Sequence, residues 1–200
     1  MPERYFSNSL LSIDKKKFFL FVGTVEKRKN VDIIISAFFK LKEQFSEAHD
    51  YKLVLAGREG YGYNEFTKRI SESNFSTDVV FTGYISRGDC AKLYMETSAY
   101  IFPTIYEGFG STQLECMAFN TPLILSDIPT NREVSQDYGI YFDLADIESL
   151  VSKMKTIVIG DFDENLLRLT AKRYLNRFTW DKSADEMISV YSNVVRENNE

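Results

Sequence analysis

The chain is poor in the residues that bind metals or form disulfides, with one histidine and two cysteines in 200 residues. Cys90 and Cys116 show no metal-type spacing and read as reduced thiols, which favours a cytoplasmic compartment. The single histidine, His49, falls between the first helix and the second strand, on the edge away from the ligand loops. It is read as a surface residue and not as a general base. No apolar run approaches the roughly 18–20 residues of a membrane span, and the opening MPERYFSNSL has no signal-peptide core. Excess positive charge is missing too. The formal net charge of −5 argues against a nucleic-acid binder, which needs a basic face. Neither a GxGxxG after the first strand nor a GxxxxGK[ST] is present, which argues against a dehydrogenase or a phosphate-loop enzyme.

What is present suits a globular α/β domain. Hydrophobic residues make up 44% and charged residues 26%, enough to build a substantial core in one domain or two small ones. The 16 Phe and 12 Tyr are read as core rather than as stacking platforms. Short apolar runs at Phe18–Val22, Lys52–Ala56, Val79–Thr82, Tyr100–Phe102, Leu123–Leu125 and Ile140–Phe142 are unbroken, as buried parallel strands are. Amphipathic stretches alternate with them. Val31, Ile34, Ile35, Phe38, Leu41 and Phe45 recur at helical spacing, with Asn30 placed as N-cap. Further helices are expected near 64–73, 89–96, 111–119, 147–157, 164–178 and 181–197, and a short one at Pro129–Val134 capped by Asp127. The expected architecture is a Rossmann-like, doubly wound parallel sheet of about six strands with C-terminal helices. Residues 1–17 read as a leader or interdomain linker remnant, and residues 18–200 as the folded domain.

Two loops carry chemistry. Glu107–Glu115, EGFGSTQLE, sets two carboxylates around a Gly-Phe-Gly turn at the start of an expected helix. A loop carboxylate accepts from sugar hydroxyls, amides at a helix start take phosphate oxygens, and an acid further along takes a ribose diol. Gly108 and Gly110 leave room for close approach. This constellation points to a nucleotide-sugar site. On the same expected edge, Gly23 closes the first strand and Thr24-Val25-Glu26-Lys27-Arg28-Lys29-Asn30 enters the first helix. Lys29, nearest the helix start, is the first candidate for a phosphate contact; Arg28 either joins it or pairs with Glu26. The glycines of Gly57–Gly62 are read as turn formers, and Gly83-Tyr84-Ile85-Ser86 as a segment able to present backbone groups to a base.

These segments carry a resemblance. GTVEKRKN at Gly23–Asn30, VVFTGYIS at Val79–Ser86, FPTIYEGFGSTQLECMAFNTPLILSDIPTNREV at Phe102–Val134 and RFTWDKSADEMISVYSNV at Arg177–Val194 resemble the donor-binding, C-terminal half of retaining GT-B glycosyltransferases, family four or group 1. The resemblance spans roughly 18–198, and its ordered series of motifs is far more specific than any one of them. It implies one half of a GT-B fold. It also implies that Glu107 bonds hydroxyls of the transferred sugar, that Gly108, Phe109 and Gly110 approach sugar and diphosphate, and that Ser111, Thr112 and Gln113 face the phosphates. Glu115 would take the ribose, Lys29 with Arg28 would clamp the diphosphate, and Tyr84 and Ile85 would meet the base. Many members carry Arg directly after the first-strand glycine; Thr24 stands here, so the clamp rests on Arg28 and Lys29 or is weaker than usual.

The function implied is transfer of a hexose, with retention, from a nucleoside-diphosphate sugar to a polysaccharide or lipid-linked acceptor. No DxD-type pair is seen, so no metal or other cofactor is expected. The implied partners are the sugar donor and an N-terminal acceptor domain or separate subunit, without which the chain is expected to be inactive. The full-length protein could lie peripherally at the inner membrane face. The alternative is a non-catalytic nucleotide-sugar-binding or scaffolding module.

Overall fold

The computed structural model describes residues 14–197. The expected element over residues 1–17 therefore lies mostly outside the described residues. Its last four residues are tied to the domain, since the Lys16 amide donates to the Glu96 carbonyl at 2.8 Å and the Lys16 ammonium to that of Thr97 at 2.8 Å.

Six strands, β1 (Phe18–Val22), β2 (Lys52–Ala56), β3 (Val79–Gly83), β4 (Ala99–Phe102), β5 (Leu123–Ser126) and β6 (Gly139–Phe142), form one sheet in the order β3-β2-β1-β4-β5-β6. Every pairing is parallel. The helices between and after them are α1 (Val31–Gln44), α2 (Tyr63–Ser71), α3 (Arg87–Glu96), α4 (Thr112–Ala118), α5 (Pro129–Ser135), α6 (Ile147–Val158), α7 (Glu164–Leu175) and α8 (Trp180–Glu197). The order reverses between β1 and β4, and the loops leaving those two strands flank the switch point where ligands bind in open α/β sheets.

Alternate residues of each strand serve opposite layers. Phe19, Phe21, Leu53, Leu55 and Ile101 pack with Ile34, Phe38 and Leu41 of α1 and with Leu150 and Met154 of α6. Phe18, Leu20, Val54, Tyr100 and Phe102 pack on the other face with Leu93 and Tyr94 of α3, Met117 of α4 and Tyr174 of α7. Both faces are covered, so the strands carry no polar alternation. Each fully buried Phe or Leu contributes about 2–3 kcal/mol by leaving water.

Two capping expectations are corrected. Asn30 does occupy the N-cap position of α1, but its backbone is left-handed (φ 53°) and its side chain makes no cap bond. Its Nδ2 donates instead to the Pro103 carbonyl at 3.2 Å, in the loop after β4. Asp127 does not cap α5, whose N-cap is Ile128; both its carboxylate oxygens accept from Arg132, at 2.7 and 2.6 Å. A guanidinium fork outcompetes the helix amides for an exposed carboxylate. His49 is exposed, at the amino edge of β2, as expected. Helix α8 buries none of its residues, and Trp180, Met187, Ile188 and Tyr191 are all exposed.

Candidate functional site

The site is assembled at the carboxyl edge of the sheet. Leaving β1, the chain is zipped to the loop after β2: the Val25 amide donates to the Arg58 carbonyl at 2.8 Å, and the Gly60 amide returns to Val25 at 3.1 Å. Gly57 (φ 150°) lets the two loops touch, because a Cβ there would sit 1.8 Å from the Gly23 carbonyl oxygen. Residues Lys27–Lys29 then form a single 3-10 turn, and the left-handed Asn30 redirects the chain into α1. This turn aims Lys29 across the sheet edge.

The loop after β4 meets it there. The Lys29 ammonium donates to the Glu107 carboxylate, and both side chains are mostly buried. Thr130 Oγ1 donates to the Glu107 carbonyl at 3.0 Å, which ties the loop to α5. Beneath the Gly-Phe-Gly turn lies a sealed polar network in which Gln113 Nε2 donates to Asn131 Oδ1 at 2.9 Å. In the same network Ser135 donates to Gln113 Oε1 at 2.6 Å and Asn131 Nδ2 to Ser126. Gly110 is left-handed (φ 78°), and a Cβ there would meet Gln113 Nε2 at 2.5 Å. Gln113 is thus fully buried and turned into the protein, which corrects its expected place facing phosphates. A side chain able to satisfy all its polar atoms in the core has no reason to turn outward.

The other expected residues divide into groups. Gly23, Thr24, Tyr84 and Ile85 line one cavity of about 370 Å3, together with Arg58 and Cys90. The Arg58 guanidinium lies 5.0 Å from the Tyr84 ring centroid on the cavity wall. Arg28 pairs with Glu26 at 2.8 Å and remains largely exposed, so only Lys29 of the basic turn reaches Glu107. Gly108 faces open space, Ser111 is exposed, and Phe109 leans edge-on against Phe178 with centroids 5.3 Å apart. Thr112 Oγ1 accepts from the Tyr100 hydroxyl at 3.2 Å. Glu115 Oε2 accepts from the Tyr94 hydroxyl at 3.1 Å.

Tyr94 and Tyr100 were not singled out in the sequence. Burial pushes both phenols well above the ordinary tyrosine value, so each stays protonated and donates. Nothing in the one-dimensional pattern separates them from other aromatics of the core. Among the described residues, no group of three or more His, Cys, Asp or Glu is placed to hold a metal ion. A larger cavity of about 560 Å3, lined by Lys16, Ser98, Asn120 and Pro122, opens at the opposite, amino edge and touches none of the expected site residues.

A parallel sheet in this order, with two ligand-facing loops meeting at its switch point, defines a Rossmann-like domain. Comparison with known proteins assigns the family. The sequence pattern of the glycosyl transferases group 1 matches residues 4–173, and the chain belongs to that family. It is 24% identical to the O-antigen chain mannosyltransferase B of Escherichia coli over 86% of this chain and 45% of that protein. It is 32% identical to the O-antigen chain mannosyltransferase RfbU of Salmonella typhimurium over 72% of this chain and 39% of that protein. Among solved structures, WaaG, a glycosyltransferase involved in lipopolysaccharide biosynthesis, superposes with a TM-score of 0.73 at 20% identity, over 92% of this chain and 51% of that one. The chain thus spans about half, or less, of the length of these proteins. Among the described residues, no helix is long and apolar enough to cross a membrane.

Proposed function

We propose that this chain is the donor-binding part of a retaining glycosyltransferase, moving a hexose from a nucleoside-diphosphate sugar to a glycan or lipid-linked acceptor. The observation that carries this reading is the ion pair of Lys29 with Glu107, which sets a cation and an acceptor side by side at the switch point. A sugar diphosphate has matching parts: hydroxyls to donate to Glu107 and, next to them, anionic oxygens to accept from Lys29. Its base would enter the cavity at Gly23, Thr24, Tyr84 and Ile85, and its ribose would meet Glu115.

In the reaction the bond between the anomeric carbon and the diphosphate oxygen breaks, and negative charge grows on the leaving diphosphate. Lys29 stabilises that charge without a metal, together with backbone donors near Gly110–Thr112, and such preorganised donors are each worth about 3–4 kcal/mol in comparable sites. Arg28 would add a second cation on leaving Glu26. Glu107 orients the sugar; it does not act as nucleophile. The acceptor hydroxyl attacks from the face the diphosphate leaves, and the departing phosphate takes its proton.

In this reading a further acceptor-binding part completes the cleft, and transfer would depend on it. The names of the two curated relatives make mannose the first hexose to test and a surface glycan the first acceptor class. A lipid-linked acceptor would bring the full-length protein peripherally to the inner membrane face.

Calorimetric titration with GDP-mannose, GDP, UDP-glucose and UDP tests the reading. Glu115→Ala should weaken all nucleotides, whereas Glu107→Ala should chiefly remove the preference for the sugar-bearing form. Equal loss of GDP or UDP affinity in both variants would contradict the assignment, and rapid turnover by this chain alone would overturn its dependence on another half.

A further inference from the structure

We propose that Tyr94 is a positioning residue, whose phenol holds one oxygen of the Glu115 carboxylate so that the other faces the ribose diol. This deepens the donor-site reading above and rests on it. Tyr94 projects from α3 into the layer beneath the site and is 2% exposed. Its ring is fixed on two sides: edge-on to Tyr100 at 5.9 Å and 83°, and stacked on Phe119 at 6.1 Å and 28°. Thr121 Oγ1 donates to its carbonyl at 2.7 Å, which anchors the backbone as well. Only the hydroxyl is left to reach outward, and it donates to Glu115 Oε2 at 3.1 Å.

An ionised carboxylate offers about four acceptor positions and no donor. With Oε2 engaged by a protonated phenol, Oε1 keeps its lone pairs for two adjacent hydroxyls. Glu115 is otherwise an exposed side chain on a short helix, with several rotamers open to it. The phenol selects among them from below. The same helix reaches the cavity. Cys90, one turn earlier on α3, lines the cavity shared by Gly23, Thr24, Tyr84 and Ile85. A ligand with its base in that cavity meets an acid whose direction is already set.

The test is ribose discrimination, which general loosening of the core would not change selectively. Dissociation constants of GDP, 2′-deoxy-GDP and 3′-deoxy-GDP are measured by calorimetry for the unaltered chain and for Tyr94→Phe, which keeps the ring and its packing. The unaltered chain should prefer GDP by about tenfold, equivalent to about 1.4 kcal/mol. Tyr94→Phe should lose most of that preference while binding the deoxy forms as before. If the variant fails to fold, 3,5-difluorotyrosine at position 94 retains the ring with a stronger donor, and the preference should rise. A preference that survives Tyr94→Phe, fails to respond to the fluorinated residue, or is accompanied by uniform weakening of all three ligands overturns the positioning role alone. No preference in the unaltered chain overturns the ribose assignment of Glu115 with it.

Discussion

Lys29 and Glu107 form an ion pair although 78 positions separate them in sequence, one leaving β1 and the other leaving β4. The strands are neighbours in the sheet, so the pair staples two loops across the switch point. Lys29→Ala should lower affinity for a nucleoside diphosphate by ten- to a hundredfold, about 1.4–2.7 kcal/mol, and flatten its salt dependence. Without ligand, a double-mutant cycle with Glu107→Gln should give a coupling of about 1 kcal/mol in denaturant unfolding. Affinity for GDP and UDP that is indifferent to Lys29 would remove the cation from the site.

Cys90 and Cys116 should differ sharply toward alkylation. Cys116 is fully buried, and burial pushes its thiol far up, so iodoacetamide should leave it untouched in the folded chain. Cys90 is half-buried, and burial raises its thiol. Its labelling should be slow at neutral pH, quicken with rising pH, and slow again when a nucleotide fills the adjoining cavity. Mass spectrometry of the labelled chain reads each outcome, and labelling of Cys90 that GDP and UDP leave unchanged would separate the cavity from the nucleotide.

Asn30 combines a left-handed backbone with a side-chain bond to the Pro103 carbonyl. Asn30→Ala should lose both the tolerance for φ 53° and the bond, lowering stability by about 2 kcal/mol. Asn30→Gly keeps the backbone and should cost about half as much. Thermal unfolding of the two variants ranks them, and equal losses would show that the side-chain bond to Pro103 rather than the backbone dominates.

Asp78 predicts a pH effect remote from the site. It accepts from the buried Lys42 at 2.7 Å and from Lys52 at 2.6 Å. Burial would raise its carboxyl, but the two lysine hydrogen bonds and their charges outweigh it and hold the value below the ordinary one. A depressed folded value stabilises above the unfolded value of about 4 and is lost as pH falls through the folded value. Asp78→Asn should therefore cost on the order of 3 kcal/mol at pH 7, leaving Lys42 buried beside a neutral amide, and progressively less below pH about 4. A gap between the two proteins that stays constant from pH 7 to pH 3 would contradict this assignment.

Much of this was legible in one dimension. All six strands lie where unbroken apolar runs place them, because a strand covered on both faces leaves no polar position to blur its ends. Helix limits drifted more. Helix α3 begins at Arg87 rather than near residue 89, since Ser86 accepts from the Asp89 amide and starts the helix early, ahead of Gly88. The loop residues were found because Gly-Phe-Gly between carboxylates and a KRK turn are rare combinations at strand ends. Their pairings were not. Gln113 looked like a helix-start donor and proved to be the centre of a sealed network, while of the two partners open to Arg28 the structure selects its neighbour Glu26.

The order of apolar runs, the loop chemistry and the family were decided by the linear chain, since each is carried by short local motifs and the order in which they follow one another. Which lysine meets Glu107, where Asn30 and Gln113 send their amides, and which phenol stands under Glu115 were decided only when β1 and β4 became neighbours and α3 packed beneath them. Side-chain partnerships across 18 to 78 positions depend on the direction in which each Cβ leaves its element. That direction is a property of the assembled sheet, and no local pattern encodes it.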